Sequence, residues 1–180
     1  YEDRLVTAQE YLEDVYALAS VLPHDKHVLN LCSNRYRFLV GFGASIVSKA
    51  ASLLPSSITS ETLNQLRAFA PDYFVLADHE TSIHPSEYTD PSDLIGGSVS
   101  KAFTIPEIDE GQVIAYVFTS GSTGVPIPHE KLWGSLAKNV QIASSALEIS
   151  PGTSVVGTTP SQHMYGFESN VLLCLQGRAI

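Results

Sequence analysis

Residues 113–126 read VIAYVFTSGSTGVP, an apolar run that stops at six small residues, four of which carry hydroxyl groups and two of which are glycines. The apolar part, Val113–Phe118, has the length and the β-branched and aromatic content of a buried strand. The glycines accept positive φ angles, so the backbone N–H groups of the loop can converge on an anion, and the hydroxyls add donors. The stretch therefore predicts a strand that ends in a phosphate-binding loop. The candidate phosphate-binding residues are Thr119, Ser120, Gly121, Ser122, Thr123 and Gly124.

Three other motifs are excluded by the same residues. A Walker loop needs a lysine after Gly124, where a valine stands. A nucleophile elbow needs a glycine two residues before Ser122, where Ser120 stands. A dinucleotide fingerprint needs three glycines, and the segment 41–43 supplies two. The remaining structural alternative is a Ser/Gly linker between two elements.

Two segments together resemble one protein family. T-S-G-S-T-G-x-P after a buried strand resembles the phosphate loop of the adenylate-forming (AMP-binding) superfamily, which includes the acyl- and aryl-CoA synthetases. About forty residues later, residues 155–160 are predicted to form a short buried strand, and the following P-x-x-H-x-x-G pattern resembles the segment that lines the carboxylate pocket of those synthetases. By this resemblance the candidate substrate-binding residues are His163, Met164, Tyr165 and Gly166.

The resemblance implies an α/β fold, a layered and largely parallel sheet flanked by helices, within the large amino-terminal domain of an adenylate-forming enzyme. The alternation of apolar runs with helical patterns favours the same architecture. On this interpretation, residues 1–180 are the amino-terminal portion of an AMP-binding domain. The carboxy-terminal part and the lid domain, with the family's metal-binding glutamate and adenylation lysine, are expected to be absent from this sequence.

The activity implied by the resemblance is a ligase reaction. ATP and a carboxylic acid, acyl or aryl, would give an acyl-adenylate, and the thiol of CoA or of a phosphopantetheine carrier protein would then take the acyl group. Mg²⁺ would accompany ATP, and no residue of this chain is assigned as catalytic or as a metal ligand. We expect these 180 residues to be inactive alone. The alternative is a non-catalytic module that binds a nucleotide or a protein partner with an adenylation-like fold.

Two features narrow or weaken the resemblance. Amino-acid-activating relatives carry an aspartate where Met164 stands, and an unpaired substrate ammonium in an apolar pocket would be costly, so a plain carboxylate is favoured. Family loops usually continue Pro-Lys-Gly, whereas here Ile127 occupies the lysine position and Trp133 a common histidine position. Either Lys131 or a group outside the chain replaces the lost cation, or the protein has drifted from catalysis.

Periodicity and turn residues predict the other elements. Thr7 and Glu10 form a capping box for a first helix that Pro23 closes, and a strand follows at 28–32. Further helices are expected from Asn34 to about 51, from Ser60 to before Pro71, over 130–147 and over 167–175, with a strand at 73–77. The anchors of the helix capped by Ser60 are Leu63, Leu66 and Phe69, and those of the helix over 130–147 are Leu132, Leu136, Val140 and Ala143.

Residues 78–110 are predicted to form a surface excursion with a short strand near Val99. His79 and His84 are five residues apart beside a proline, which does not match zincin spacing, so no metal site is predicted.

Composition is that of a globular protein, with 44% hydrophobic and 16% charged residues among 180. The net charge of −9 argues against nucleic acid or an anionic membrane as the main partner. Two cysteines in apolar surroundings favour reduced thiols over a disulfide framework. Without an 18-residue apolar run or a signal-peptide pattern, a cytoplasmic protein is expected.

Overall fold

The structure, a computed structural model, describes residues 5–81, 83, 88–97, 104–120 and 126–177. For Thr119, Ser120, Pro126 and Gly177 it describes the backbone alone. Its strands are β1 His27–Asn30, β2 Ala51–Pro55, β3 Phe74–Leu76, β4 Val113–Ser120 and β5 Pro126–Leu132. Its helices are α1 Ala8–Ala19, α2 Arg35–Val47, α3 Ser60–Phe69, α4 Trp133–Ala146, α5 Met164–Gly166, a π-helix Phe167–Leu172 and α6 Leu173–Gly177, with a 3₁₀ turn at Pro91–Asp93.

The described strands form one mixed, mostly parallel sheet in the order β3-β1-β2-β4-β5, flanked by helices, which confirms the predicted fold class. The chain divides into two compact units. The first comprises Tyr1–Ser52 and Arg67–Ile108, and the second comprises Leu53–Leu66 and Asp109–Ile180.

In the first unit, β1 and β3 pair in parallel, with Leu29 opposite Val75. The capping box of α1 is formed, because the Glu10 carboxylate accepts from the Thr7 N–H at 2.7 Å and the Thr7 hydroxyl accepts from the Glu10 N–H at 3.1 Å. Helix α2 packs against α1 at Gly43, where a Cβ atom would lie 2.7 Å from Val15 Cγ2. The largest fully buried side chains of this unit are Phe38, Phe42, Leu18, Leu29 and Leu76.

The predicted boundaries of α2 and α3 need correction. Helix α2 ends at Val47 rather than near residue 51, because Lys49 adopts a φ of 56°, outside the helical region, and β2 begins two residues later. Ser60 is the first residue of α3 and not its cap, since the Thr59 hydroxyl accepts from the Thr62 N–H at 3.1 Å. The predicted anchors Leu63 and Leu66 are buried, whereas Phe69 is 38% exposed. The rings of Phe69 and His27 form an edge-to-face pair with their centroids 5.5 Å apart.

In the second unit, β4 and β5 form an antiparallel pair in which Ser120 lies opposite Pro126. The strand β5 was not predicted. Because β5 runs to Leu132, the following helix begins at Trp133 and not at residue 130. Of its predicted anchors, Leu136 and Val140 are buried, Leu132 is 36% exposed and Ala143 is half-buried.

The predicted strand at 155–160 is wrong. These residues have no regular structure, and Val156 is 92% exposed. The last helical region begins at Met164 instead of 167, and its middle is a π-helix in which Phe167 is fully buried. Between 78 and 110, Thr89 forms an isolated parallel bridge with Leu76 of β3, whereas the strand predicted near Val99 lies outside the described residues.

Candidate functional site

The apolar run forms strand β4 as predicted, but the strand continues two residues beyond Phe118 and has Thr119 and Ser120, the first predicted loop residues, at its carboxyl end. The other predicted phosphate-binding residues, Gly121, Ser122, Thr123 and Gly124, lie outside the described residues. The register of β4 and β5 nevertheless fixes where they attach, since Ser120 pairs with Pro126 and Thr119 with Ile127. The predicted loop therefore connects two antiparallel strands.

The position of the missing lysine is next to this loop. Ile127 lies opposite Thr119, and its side chain is 52% exposed. Lys131 lies opposite Ala115, near the start of β4. Four residues of extended chain separate the Cα atoms of Ile127 and Lys131 by roughly 13 Å. Lys131 is therefore beside the end of β4 that is remote from the loop, and the register does not favour it as a replacement for the lost cation.

Helix α4, which follows β5, begins without a side-chain cap. Its N-cap residue is Leu132, and the first two N–H groups of the helix donate instead to loop carbonyls. The Trp133 N–H donates to Gln112 O and the Gly134 N–H to Glu110 O, both at 2.9 Å. A side chain at position 134 would be 2.9 Å from Glu110 Cβ, so glycine permits this close approach.

The second predicted segment forms a turn that leads into α5. His163 is the N-cap residue of α5, and its side chain is exposed. Its N–H donates to Pro160 O at 3.1 Å, and its carbonyl accepts from the Phe167 N–H at 2.7 Å. Gly166 is buried, and a Cβ atom there would overlap the Pro160 carbonyl. Close packing against the Pro160 carbonyl thus explains why the last position of the P-x-x-H-x-x-G pattern is a glycine in this chain.

Met164 and Tyr165 follow His163 on the same short helix. Met164 is half-buried, and Tyr165 is 74% exposed. Tyr165 lies on the wall of a cavity of about 190 Å³ between α4 and the helical segment 164–177. The apolar part of the wall also includes Val140, Ala143, Leu147 and Leu173.

A buried carboxylate in the first unit was missed by the sequence analysis. Asp78 lies two residues after the end of β3, and its side chain is 1% exposed. Its Oδ1 accepts from the Ser33 N–H at 2.8 Å and its Oδ2 from the Asn34 N–H at 2.9 Å, while Arg37 Nη1 lies 3.6 Å from Oδ2. His79 Nδ1 is 3.0 Å from Oδ1.

The signal for this cluster was available. Ser33 and Asn34 follow β1, Asp78 follows β3, and the carboxyl ends of adjacent parallel strands lie at one edge of a sheet. Burial alone would raise the pKa of Asp78, but hydrogen bonds from Ser33, His79 and Asn34 lower it to about 2. The cluster holds the start of α2, so its role is structural.

Within the described ranges, no group of three or more His, Cys, Asp or Glu residues is arranged to hold a metal ion. Of the two histidines considered for a metal, His79 contacts Asp78, and His84 lies outside those ranges. Both cysteines, Cys32 and Cys174, are free thiols. No helix in the described part of the chain is long and apolar enough to span a membrane.

The architecture is that of the amino-terminal domain of adenylate-forming enzymes, the acyl- and aryl-CoA synthetases among them. In particular, the chain superposes on o-succinylbenzoate CoA synthetase (MenE) from Bacillus subtilis, in complex with the acyl-adenylate intermediate OSB-AMP, with a TM-score of 0.77 and 20% identity. This match covers 99% of the chain and 50% of MenE. ATP-bound MatB from Rhodopseudomonas palustris gives a TM-score of 0.79 at 18% identity, covering 97% of the chain and 39% of MatB.

A sequence relative agrees with these structures. A 4-coumarate–CoA ligase from Halorhodospira halophila is 40% identical over 55 residues, which is 31% of this chain and 14% of the ligase. No protein-family model matches the chain. The chain thus spans about half or less of the length of the proteins it matches. These comparisons confirm the resemblance predicted from the two motifs, and the structural matches establish the shared fold.

Proposed function

We propose that the longer protein represented by this chain activates a carboxylic acid with ATP and transfers the acyl group to a thiol. The proposal is supported by the end of β4 at Ser120, the second residue of T-S-G-S-T-G, in a fold matched by synthetases solved with ATP and magnesium ion, with AMP and with an acyl-adenylate. Residues 1–180 would supply the amino-terminal portion of the AMP-binding domain.

In the proposed reaction, a carboxylate oxygen attacks the α-phosphorus of ATP. The bond from that phosphorus to the bridging oxygen breaks, and pyrophosphate leaves. The loop residues, Thr119, Ser120, Gly121, Ser122, Thr123 and Gly124, would hold the β- and γ-phosphates. Donors already aimed at these oxygens stabilise the charge that develops on the leaving group without reorganising.

Magnesium would screen the triphosphate charge when bound. We assign no magnesium ligand to this chain, since by the resemblance the metal-binding glutamate belongs to a later part of the family's domain. The acceptor thiol would be that of CoA or of a carrier-protein phosphopantetheine, and the names of o-succinylbenzoate CoA synthetase and 4-coumarate–CoA ligase favour CoA.

The proposed substrate is an acyl or aryl carboxylate without an α-amino group. Its carboxylate would lie near His163, whose exposed ring carries two nitrogen atoms that can hydrogen-bond. Met164 and Tyr165 would lie beside it, and the buried Gly166 would let the turn pack closely. Met164 cannot neutralise an ammonium group, which would be costly to leave unpaired.

ATP–pyrophosphate exchange by the full-length protein tests the proposal, with a panel of fatty, aromatic and amino acids. We expect exchange with at least one fatty or aromatic acid and none with amino acids. Absence of exchange with every acid, by a folded protein, would reject the enzymatic function. Residues 1–180 alone should give little or no exchange.

A paired substitution tests the loop. Ser122→Ala with Thr123→Ala should raise the KM for ATP about tenfold or more, because two hydroxyl donors to phosphate are lost. Ser145→Ala is the matched control, since this exposed hydroxyl bonds the Gln141 carbonyl on α4. ATP kinetics equal to those of the wild type would remove the role we give the loop.

A non-catalytic module is the second candidate, and Ile127 is the observation that favours it. An exposed isoleucine stands beside the loop where the resembled family carries lysine. Ile127→Lys separates the two functions, because the side chain has room at a half-exposed position. Under the enzymatic proposal it should increase or preserve pyrophosphate exchange. Nucleotide binding without exchange in both proteins would favour the non-catalytic module.

A further inference from the structure

The segment before His163 is held by a side chain of the π-helix. Asn170 Nδ2 donates to the Thr159 carbonyl at 2.8 Å, eleven residues earlier in the chain. The Asn170 side chain is half-buried, and its Oδ1 lies 3.1 Å from Ser169 Oγ. Residues 154–159 form no strand or helix, and this hydrogen bond attaches the segment to the π-helix at Thr159.

Two glycines allow the segment to press against the helix. A Cβ atom at Gly157 would overlap the side-chain amide of Asn170, and one at Gly166 would overlap the Pro160 carbonyl. The Gly166 contact is with backbone, which cannot rotate away as a flexible side chain can. The turn is therefore closely packed on both sides of Thr159.

The π-helix accounts for the direction of Asn170. Residues 167–172 have the wider i→i+5 turn, which shifts side chains from the positions they would take on a regular α-helix. Phe167 is fully buried and fixes the first residue of this turn. Ser169 Oγ also lies 2.6 Å from the Tyr165 carbonyl, so the turn is bonded to the short helix that carries Met164 and Tyr165.

Two backbone hydrogen bonds connect His163 to the two sides of the Asn170–Thr159 contact. Thr159 precedes Pro160, whose carbonyl accepts from the His163 N–H at 3.1 Å. The His163 carbonyl in turn accepts from the Phe167 N–H at 2.7 Å. His163 is thus tied at its N–H to the segment that Asn170 holds and at its carbonyl to the helix that carries Asn170.

We propose that Asn170 is a positioning residue, whose amide holds residues 157–163 against the π-helix and so sets the place of His163 at the carboxylate of the substrate. The substrate part rests on the proposed function above. The structural part, that Asn170 orders the turn, stands on the contacts of the turn itself. A misplaced turn would move His163 away from the carboxylate and leave the ATP loop unchanged.

Asn170→Asp is the sharpest test, because the side chain keeps its size while a charged acceptor oxygen replaces the N–H donor to Thr159. The first measurement is hydrogen–deuterium exchange of the amides of residues 157–163, compared with those of α4. The second is the KM for the carboxylic acid and for ATP in pyrophosphate exchange by the full-length protein. Asn64→Asp, the same change on an exposed face of α3, is the matched control.

We expect Asn170→Asp to speed amide exchange in residues 157–163 about tenfold and to raise the KM for the acid about tenfold, with the KM for ATP within twofold. Asn64→Asp should change none of these. Ser169→Ala is a milder second variant, since it removes the hydroxyl that contacts the Tyr165 carbonyl and Asn170 Oδ1 and leaves the donor to Thr159 in place. It should change amide exchange in the same direction by a smaller factor.

The outcomes are distinguishable. Unchanged amide exchange in Asn170→Asp overturns the proposal. Faster amide exchange with an unchanged KM for the acid also overturns it, and leaves the proposed function standing. A wild-type protein that exchanges pyrophosphate with no acid rejects the proposed function, and with it the link to substrate. In that case the amide exchange alone decides whether Asn170 holds the turn.

Discussion

Helices α2 and α4 meet the same requirement at their first turn in two different ways. In α2, the Asn34 side chain accepts from the N–H groups of Tyr36 and Arg37 at 3.0 and 3.1 Å. In α4, Leu132 contributes no side-chain cap, and the carbonyls of Gln112 and Glu110 accept the first N–H groups. The first N–H groups of any helix lack an intrahelical acceptor, so each start needs one of these solutions.

The difference is one of sequence distance. The cap of α2 is part of the helix sequence itself and is reinforced by Asp78, whose carboxylate accepts from the two residues before the helix. The cap of α4 consists of backbone carbonyls from a loop about twenty residues earlier. Many different sequences could supply these carbonyls, provided that the loop keeps its conformation. A side-chain cap should therefore be sensitive to single substitutions, and a backbone cap should be sensitive to steric intrusion.

The largest effect is expected for Asp78→Ala at the start of α2. It should lower the free energy of unfolding by about 3 kcal/mol, because a buried charged acceptor with several donors is removed. Urea denaturation measures this. The control is Asp72→Ala, whose carboxylate is 77% exposed and 3.6 Å from Lys26 Nζ, with a loss below about 0.5 kcal/mol. Equal losses in the two variants would contradict the role given to Asp78.

Low pH should reduce the stability that Asp78 gives to the start of α2. The pKa of Asp78 is about 2 in the folded protein, below its ordinary value of 3.8, so its contribution is complete above pH 3.8 and is lost as pH falls towards 2. The difference corresponds to about 2 kcal/mol. Urea denaturation at pH 5, 3.5 and 2.5 measures it, with Asp78→Asn as the reference. Identical pH dependence in the two proteins would show that another group is responsible.

Steric intrusion should break the start of α4. Gly134→Val places a side chain within about 3 Å of Glu110 and should push the capping loop away, at a cost of about 1–2 kcal/mol in unfolding free energy. Gly97→Val is the control, because the nearest atom to a Cβ there is Leu94 O at 3.9 Å. If both variants are equally stable, the backbone cap is not needed.

Asn34→Ala should cost about 1 kcal/mol, the usual value for a lost N-cap side chain. Asn34→Ser keeps an acceptor and should recover most of this loss. Thermal denaturation of the three proteins is sufficient to compare them. A serine variant no better than alanine would indicate that Asp78, rather than Asn34, carries the cap.

The smallest change is expected for Leu132→Ser, which offers α4 the side-chain cap that it lacks. Since the Trp133 and Gly134 N–H groups already have carbonyl acceptors, stability should change by less than about 0.5 kcal/mol. A gain near 1 kcal/mol in urea denaturation would show that the loop carbonyls are weak acceptors.

Local sequence signals correctly predicted the elements whose caps or apolar pattern lie within their own sequence. The Thr7–Glu10 capping box and the Asn34 cap are confirmed, as is the apolar run of β4. Strand β5 was not predicted, because its two prolines and several polar residues do not give the apolar pattern of a strand. Its stability comes from pairing with β4. The segment 155–160 has the composition of a strand and no strand partner, so its fold depends on Asn170 instead.

The site divides in the same way. The sequence predicted a strand followed by the loop residues Thr119 and Ser120, although the strand in fact includes both. Gly166 was predicted only as a substrate-binding candidate, and the structure adds the steric reason for this glycine. Asp78 could have been found from the order of the parallel strands. Asn170 could not have been found in this way, because its hydrogen bond to Thr159 depends on a π-helical turn. No local pattern in residues 167–172 predicts that turn.

Strand β5 stands at the end of the sheet order in the described part of the chain. An edge strand can recruit a strand from another molecule through its unpaired backbone groups, which leads to aggregation. Pro126 and Pro128 have no N–H to offer, and His129, Glu130 and Lys131 follow them with polar or charged side chains. The segment that departs from the usual Pro-Lys-Gly pattern thus carries the proline and charged residues that discourage intermolecular sheet growth at an edge strand.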